Sequence, residues 1–184
     1  PQQPPKIKST VVSAAGDLTA ALTQFRTLLG EPLNTTPGQS AGRREVNWDG
    51  VPSNLTNNNA FPLDFFNSTD PNVGAGRKRG LVYVNTGAQF RIDSTSYSEI
   101  EPSYANNFKP FTGKRLISAA NTNVTEAVFK IPGTNTDASV KGFGLVFSDV
   151  DNADYTKVEF FNGNKSLGVF KAPVRTDGDG FSFL

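Results

Sequence analysis

The sequence predicts a mainly β protein: an antiparallel β-sandwich of jelly-roll-like type with one N-terminal amphipathic helix. Three observations carry that expectation. Beyond about residue 40, short apolar or alternating runs are broken by Gly, Pro, Asn and Asp at intervals that suit antiparallel sheets. Fifteen phenylalanines are spread through these runs, which is volume enough for a core between two sheets. One stretch before residue 30 repeats with the helical period.

The 184 residues are of the size of one ordinary domain. Residues 1–12 read as an extended, Pro-rich arm, in which Ile7, Ser9 and Val11 alternate with Lys6, Lys8 and Thr10. Residues 13–184 read as a single sandwich domain. Within it, Ala14, Leu18, Ala21, Leu22, Phe25, Leu28 and Leu29 place a helix over 14–29, with Ser13 as its cap and Gly30 and Pro32 as its stop. Strands are expected at Gly80–Val84, Gln89–Ile92, Leu116–Ser118, Glu126–Ile131, Gly142–Phe147, Lys157–Phe161, Ser166–Phe170 and Phe181–Leu184. Asn162-Gly163-Asn164 signals a tight hairpin that should hold its register, because Asn and Gly tolerate positive φ.

Composition excludes several chemistries. The chain has no histidine, cysteine or methionine, so nucleophile–histidine catalysis, disulfides, zinc fingers, haem and iron–sulfur sites lack their residues. Eighteen basic against 17 acidic residues leave a net charge of +1, which speaks against nucleic acid as a partner, since phosphate binding needs a concentrated basic face. No stretch has the length and apolarity of a membrane span. A chain that opens Pro1-Gln2-Gln3-Pro4-Pro5 without methionine is expected to have lost an initiator or an export signal. The Asn-, Thr- and Ser-rich surface suits a secreted or cell-surface protein, and the absence of cysteine suits a bacterial one. Asn-x-Ser/Thr occurs at Asn34, Asn54, Asn67, Asn123 and Asn164; these are glycosylation candidates, or chance products of an Asn- and Thr-rich chain.

Four motifs carry possible chemistry. In Arg43-Arg44-Glu45-Val46-Asn47-Trp48-Asp49-Gly50-Val51-Pro52, strand alternation puts Arg44, Val46 and Trp48 on one side, with Trp48 expected to be buried, and Arg43, Glu45, Asn47 and Asp49 on the other as a dense polar face. That face is either a ligand site for sugar or a salt-bridged network that anchors the Asp49-Gly50 turn. Asp149, Asp151 and Asp154 supply three carboxylates from one loop, the donor type that calcium wants, or else a solvated turn. Asp177-Gly178-Asp179-Gly180 offers the same choice with a stronger turn bias. Gly76-Arg77-Lys78-Arg79-Gly80 reads as a basic loop tip, or a contact for an acidic glycan.

The GRRExNWDGVP run from Gly42 to Pro52 and the GFGxVFSDVD run from Gly142 to Asp151 resemble a family of exported bacterial proteins, some of which carry a PEP-CTERM type sorting tail. Phe25–Gly30, Pro62–Asn67, Arg79–Tyr83 and Pro132–Thr136 extend the likeness from about residue 20 to the end. The resemblance implies export and a β-rich fold, and no activity or site. Family members continue beyond Gly180-Phe181-Ser182-Phe183-Leu184 into further strand-like sequence. The expectation is therefore either that the last strands of the sheet are missing here, or that the apolar end is tucked against something. A missing strand would leave an edge that a second copy could fill.

These readings lead to three functional expectations. The first is a non-catalytic extracellular structural or adhesive protein of a cell surface, matrix or filament, needing no cofactor and self-associating through sheet edges. The second is a calcium-assisted carbohydrate-binding module, with Tyr97, Tyr104 and Phe108 as candidate sugar platforms and Arg43, Glu45, Asn47 and Asp49 as polar ligands. The third is a carboxylate-based glycoside-active enzyme. For it, Glu45 and Asp49, four residues apart on a strand, would lie about 13 Å from each other. Glycosidases use about 5 to 9.5 Å, so a partner such as Asp64 or Glu99 would be needed. No catalytic residue is assigned.

Overall fold

The computed structural model describes residues 9–84, 87, 89–175 and 180–184. Most of the expected Pro-rich arm and most of the Asp177–Gly180 turn lie outside these residues. The regular structure is mainly β, in several small antiparallel sheets, with a single α-helix among the described residues. The chain divides into two compact units, one formed by Pro1–Phe25 with Gly144–Leu184 and the other by Arg26–Phe143.

The helix, α1, spans Thr19–Leu29 and not 14–29, with its residues up to Phe25 in the first unit. The residues in front of it are claimed by a sheet: β1 (Ala14–Ala15) pairs with Phe183 and Ser182, and Gly16, at φ +78°, donates its N–H to the Phe181 carbonyl at 3.0 Å. The helix is started by Asp17, whose Oδ1 accepts from the Thr19 N–H at 2.9 Å, so Ser13 is not its cap. Gly30 ends it at φ +97°, a left-handed conformation open to glycine. Leu18 and Ala21 are buried, and Leu22 and Phe25 pack beside them against Val12 and Phe183.

The sheet of this unit runs β1–β9–β6, with β9 (Phe181–Phe183) central and β6 (Val146–Ser148) on its other side. Residues 182–184 are packed in place: Ser182 and Phe183 are buried, and Leu184 exchanges backbone hydrogen bonds with Leu145. A separate ribbon joins β7 (Lys157–Asn162) to β8 (Lys165–Lys171) through the expected hairpin, with Gly163 at φ +57°. Its register is not uniform. It shifts by one residue between Phe160, which faces Gly168, and Phe161, which faces Ser166, leaving Leu167 as a bulge. Val158 and Phe170 from this ribbon pack on Val150, Ala172 and Leu184.

In the second unit, β2 (Leu81–Tyr83) pairs with β5 (Ala127–Phe129), and β3 (Phe90–Asp93) with β4 (Leu116–Ala119). One face of each ladder feeds a common core of Leu81, Tyr83, Phe90 and Ile92, where Tyr83 stacks on Phe90 at 4.7 Å between ring centroids. Much of the remaining core comes from a loop and not from strands. Phe61, Phe65 and Phe66 are buried there, and the loop is pinned by Phe61 N–H to Phe90 O and by Tyr83 N–H to Leu63 O. The eight expected strands all appear, most of them trimmed at an end.

Gly80 allows β2 to start where it does. At φ +77°, a Cβ would sit 2.4 Å from the Lys130 carbonyl oxygen. Gly80→Ala should lower stability by at least the cost of a left-handed alanine, about 1–2 kcal/mol, read as a drop in the urea midpoint. Gly76→Ala, in open space with no such φ, should leave the midpoint nearly unchanged.

Candidate functional site

The Arg43–Pro52 segment forms no regular strand, and only its middle, Glu45 to Trp48, alternates in burial as expected; Arg43 and Asp49 are half-buried. Val46 and Trp48 pack against the core of the second unit, while Glu45 and Asn47 are exposed. The polar face closes on itself. Arg26 holds Glu45 with two hydrogen bonds of 2.8 Å, Nε to Oε1 and Nη2 to Oε2. Arg43 adds a third, from Nε to Glu45 Oε1 at 2.9 Å, and also pairs with Glu31. The hydrogen bond from Arg26 is the main reason the Glu45 carboxyl sits below its usual range, with Arg43 assisting.

Asn47 and Asp49 work on the turn. Asn47 Oδ1 accepts from the Asp49 N–H at 3.2 Å, and Asp49 Oδ1 accepts from the Lys114 N–H at 2.8 Å. Gly113, at φ +58°, lets the Asp49 carboxylate approach this backbone: a Cβ there would lie 2.1 Å from Oδ2. Arg115 donates to the carbonyls of Val51 and Trp48, closing the same turn. Arg43 and Glu45 are thus brought together in one ion network, and Asn47 and Asp49 in one turn.

Tyr97 and Tyr104 lie in an aromatic cluster in which both rings meet Phe108 edge-on, at 5.3 and 5.4 Å. Tyr97 is buried, and that burial pushes its hydroxyl up to about 12. Tyr104 is 39% exposed. Glu99, one of the carboxylates considered as a partner for Glu45 or Asp49, accepts from Arg91 Nη2 through Oε2 at 2.9 Å.

The aspartate loop is matched by cations of the chain. Arg175 bonds Asp151 through Nε at 2.7 Å and reaches Asp149 at 3.3 Å, while Lys171 Nζ lies 2.6 Å from Asp154. The hydrogen bond from Lys171 holds the Asp154 carboxyl below its usual range. Among the described residues, no three acidic side chains converge as a group that could hold a metal ion. Asp149 and Asp154 adopt φ of +64° and +75°, as turn residues do.

The sequons divide by burial. Asn34 and Asn67 are buried, and their Nδ2 groups donate to the carbonyls of Ala41, at 2.5 Å, and Thr134, at 2.8 Å. A glycan on either nitrogen would have to leave from a side chain that is almost wholly enclosed. Asn54, Asn123 and Asn164 are exposed. The basic run is less of a loop tip than its composition suggests. The Arg77 guanidinium lies 4.4 Å over the Phe65 ring, and Arg79 donates to the Asn34 carbonyl at 2.8 Å.

Sequence reasoning missed the most buried charges. Asp93 is fully buried on β3, with Oδ2 accepting from Arg91 Nε at 2.7 Å. Its Oδ1 accepts from the Thr95 and Tyr97 N–H groups, both at 2.8 Å. The available signal was Phe90-Arg91-Ile92-Asp93-Ser94-Thr95: two opposite charges two apart in an apolar strand, running into an Asx-type turn. Comparison of the chain with protein-family models, with curated proteins and with solved structures gives no match.

Proposed function

We propose that this is a non-catalytic structural or adhesive β protein of a cell surface, extracellular matrix or filament, exported by a bacterium and related to the family that its Gly42–Pro52 and Gly142–Asp151 runs resemble. The observation that supports this reading best is the state of Glu45. A glycosidase acid needs its carboxyl raised toward neutral pH, whereas Arg26 and Arg43 hold this one low. Its neighbours Asn47 and Asp49 are engaged in the turn, so the polar face serves the fold. A jelly-roll-like sandwich is the finer architecture we propose. It is supported by the two ladders of the second unit, which each contribute one face to a common phenylalanine-rich core. Export also assigns glycans, where present, to Asn54, Asn123 and Asn164.

Electron microscopy and sedimentation of the native material, with mass spectrometry of its glycopeptides, test this reading. A regular assembly is expected, and a strictly monomeric protein would sink it. One observation favours glycan binding as a second reading: Tyr104 is an exposed aromatic side chain, held edge-on against Phe108. In that reading Tyr104→Ala abolishes retention on a polysaccharide column. Calcium would have to displace Arg175 from Asp149 and Asp151, so added calcium is expected to leave the melting temperature unchanged.

A further inference from the structure

We propose that two copies of the chain join edge to edge through β7, antiparallel about a two-fold axis that places Val158 opposite Val158 of the second copy. This rests on the self-associating structural reading above and gives it a surface. Among the described residues, β7 pairs with β8 alone, so its other edge carries no strand. The Ala172 N–H donates to the Thr156 carbonyl, which places Thr156, Val158 and Phe160 in the hydrogen-bonded positions facing β8. The backbone groups of Lys157, Glu159 and Phe161 therefore point to the open edge, and their side chains share the exposed face.

Charge selects the register. With Val158 on the axis, Lys157 lies opposite Glu159 of the second copy, and Glu159 opposite its Lys157, giving two attractive cross-strand pairs. The neighbouring registers place Glu159 against Glu159 or Lys157 against Lys157. Lysine on a free edge normally discourages pairing; here the glutamate two residues away converts it into a register key. The selected register also brings the segment holding Tyr155, 84% exposed, across from Phe161, 57% exposed. The edge of β8 offers no equivalent, since its charged residues, Lys165 and Lys171, are both basic. The product is a continuous four-stranded sheet ordered β8–β7–β7–β8.

The test is sedimentation equilibrium on the full chain. Glu159→Lys turns two attractive pairs into two repulsive ones and should weaken dimerisation about tenfold. Adding Lys157→Glu to it restores the pairing with reversed signs and should recover wild-type affinity. Because the chain has no cysteine, register can be read by oxidation. A mixture of Lys157→Cys and Glu159→Cys chains should cross-link readily, since opposed residues lie within disulfide reach, and neither chain alone should match it. Self-association that ignores the charge variants, or cross-linking as strong in one variant alone, would overturn the β7 edge while leaving the structural reading standing. A wild-type chain that stays monomeric at millimolar concentration would remove both.

Discussion

Replacing Asp93 by alanine is expected to destabilise the Arg26–Phe143 unit by about 3–5 kcal/mol, the usual cost of removing one partner from a buried, hydrogen-bonded ion pair. The carboxylate is fully buried and does two jobs. It neutralises Arg91, whose guanidinium spans Asp93 and Glu99, and it gathers the N–H groups of Thr95 and Tyr97. That second job holds a strained turn, since Ser96 and Tyr97 sit at φ of 55° and 60° without being glycine. The single tryptophan, Trp48, packs on the same core, so its fluorescence during urea unfolding reports this unit. Asp137→Ala provides the contrast: its pair with Lys130 is exposed, and its loss should cost under about 1 kcal/mol.

The same carboxylate sets a pH response. Burial alone would raise the Asp93 pKa, but the hydrogen bonds from Tyr97, Arg91 and Thr95 outweigh it and hold the group below 3.8; Glu45 is likewise held below 4.5, by Arg26 and Arg43. Both groups are more acidic folded than unfolded. Their stabilisation is therefore complete above those ordinary values and is lost as the pH falls through the depressed ones. Acid unfolding followed by Trp48 fluorescence should show a steep loss below about pH 4. Asp93→Asn should flatten it; an unchanged acid transition in that variant would show that the buried pair does not control it.

Phe183→Ala should cost the first unit about 3–5 kcal/mol, the range for truncating a buried phenylalanine. Phe183 is 2% exposed and meets Phe25 edge-on at 5.3 Å, and it sits on the central strand of the β1–β9–β6 sheet. Its ring also lies over Gly144, where a Cβ would come within 2.9 Å of Cζ. Gly144→Ala alone should therefore destabilise through overpacking, and combined with Phe183→Ala it should cost less than the sum, because the methyl enters the vacated space. Trp48 lies in the other unit, so amide hydrogen exchange on β1, β6 and β9 is the appropriate measurement. Unchanged protection in Phe183→Ala would show that this ring does not organise the sheet.

What was legible in the chain was what short-range periodicity encodes. Alternation and turn residues located β2 to β9, and the alternating burial of Val46 and Trp48 against Glu45 and Asn47 appears even without a strand. The helix start was misplaced because Ala14 and Ala15 suit either state locally, and their partners Phe183 and Ser182 lie at the far end of the chain. The three core phenylalanines at 61, 65 and 66 were missed as a cluster because a loop has no period. The helix-to-loop pairing of Arg26 with Glu45 spans 19 residues, and the reach of Asp49 to Lys114 spans 65; neither leaves a local pattern.

The sequence by itself determined the class of elements, the missing chemistries and the hairpin, because backbone preference and hydrophobic period act over a few residues. Only the tertiary structure decided that Glu45, Asp49 and Asp151 answer to arginines and backbone amides distant in sequence, that Asn34 and Asn67 are buried, and that among the described residues β7 pairs on one edge alone. A charge acquires its role from whatever folding brings within about 3 Å of it, and that neighbour is chosen by long-range packing.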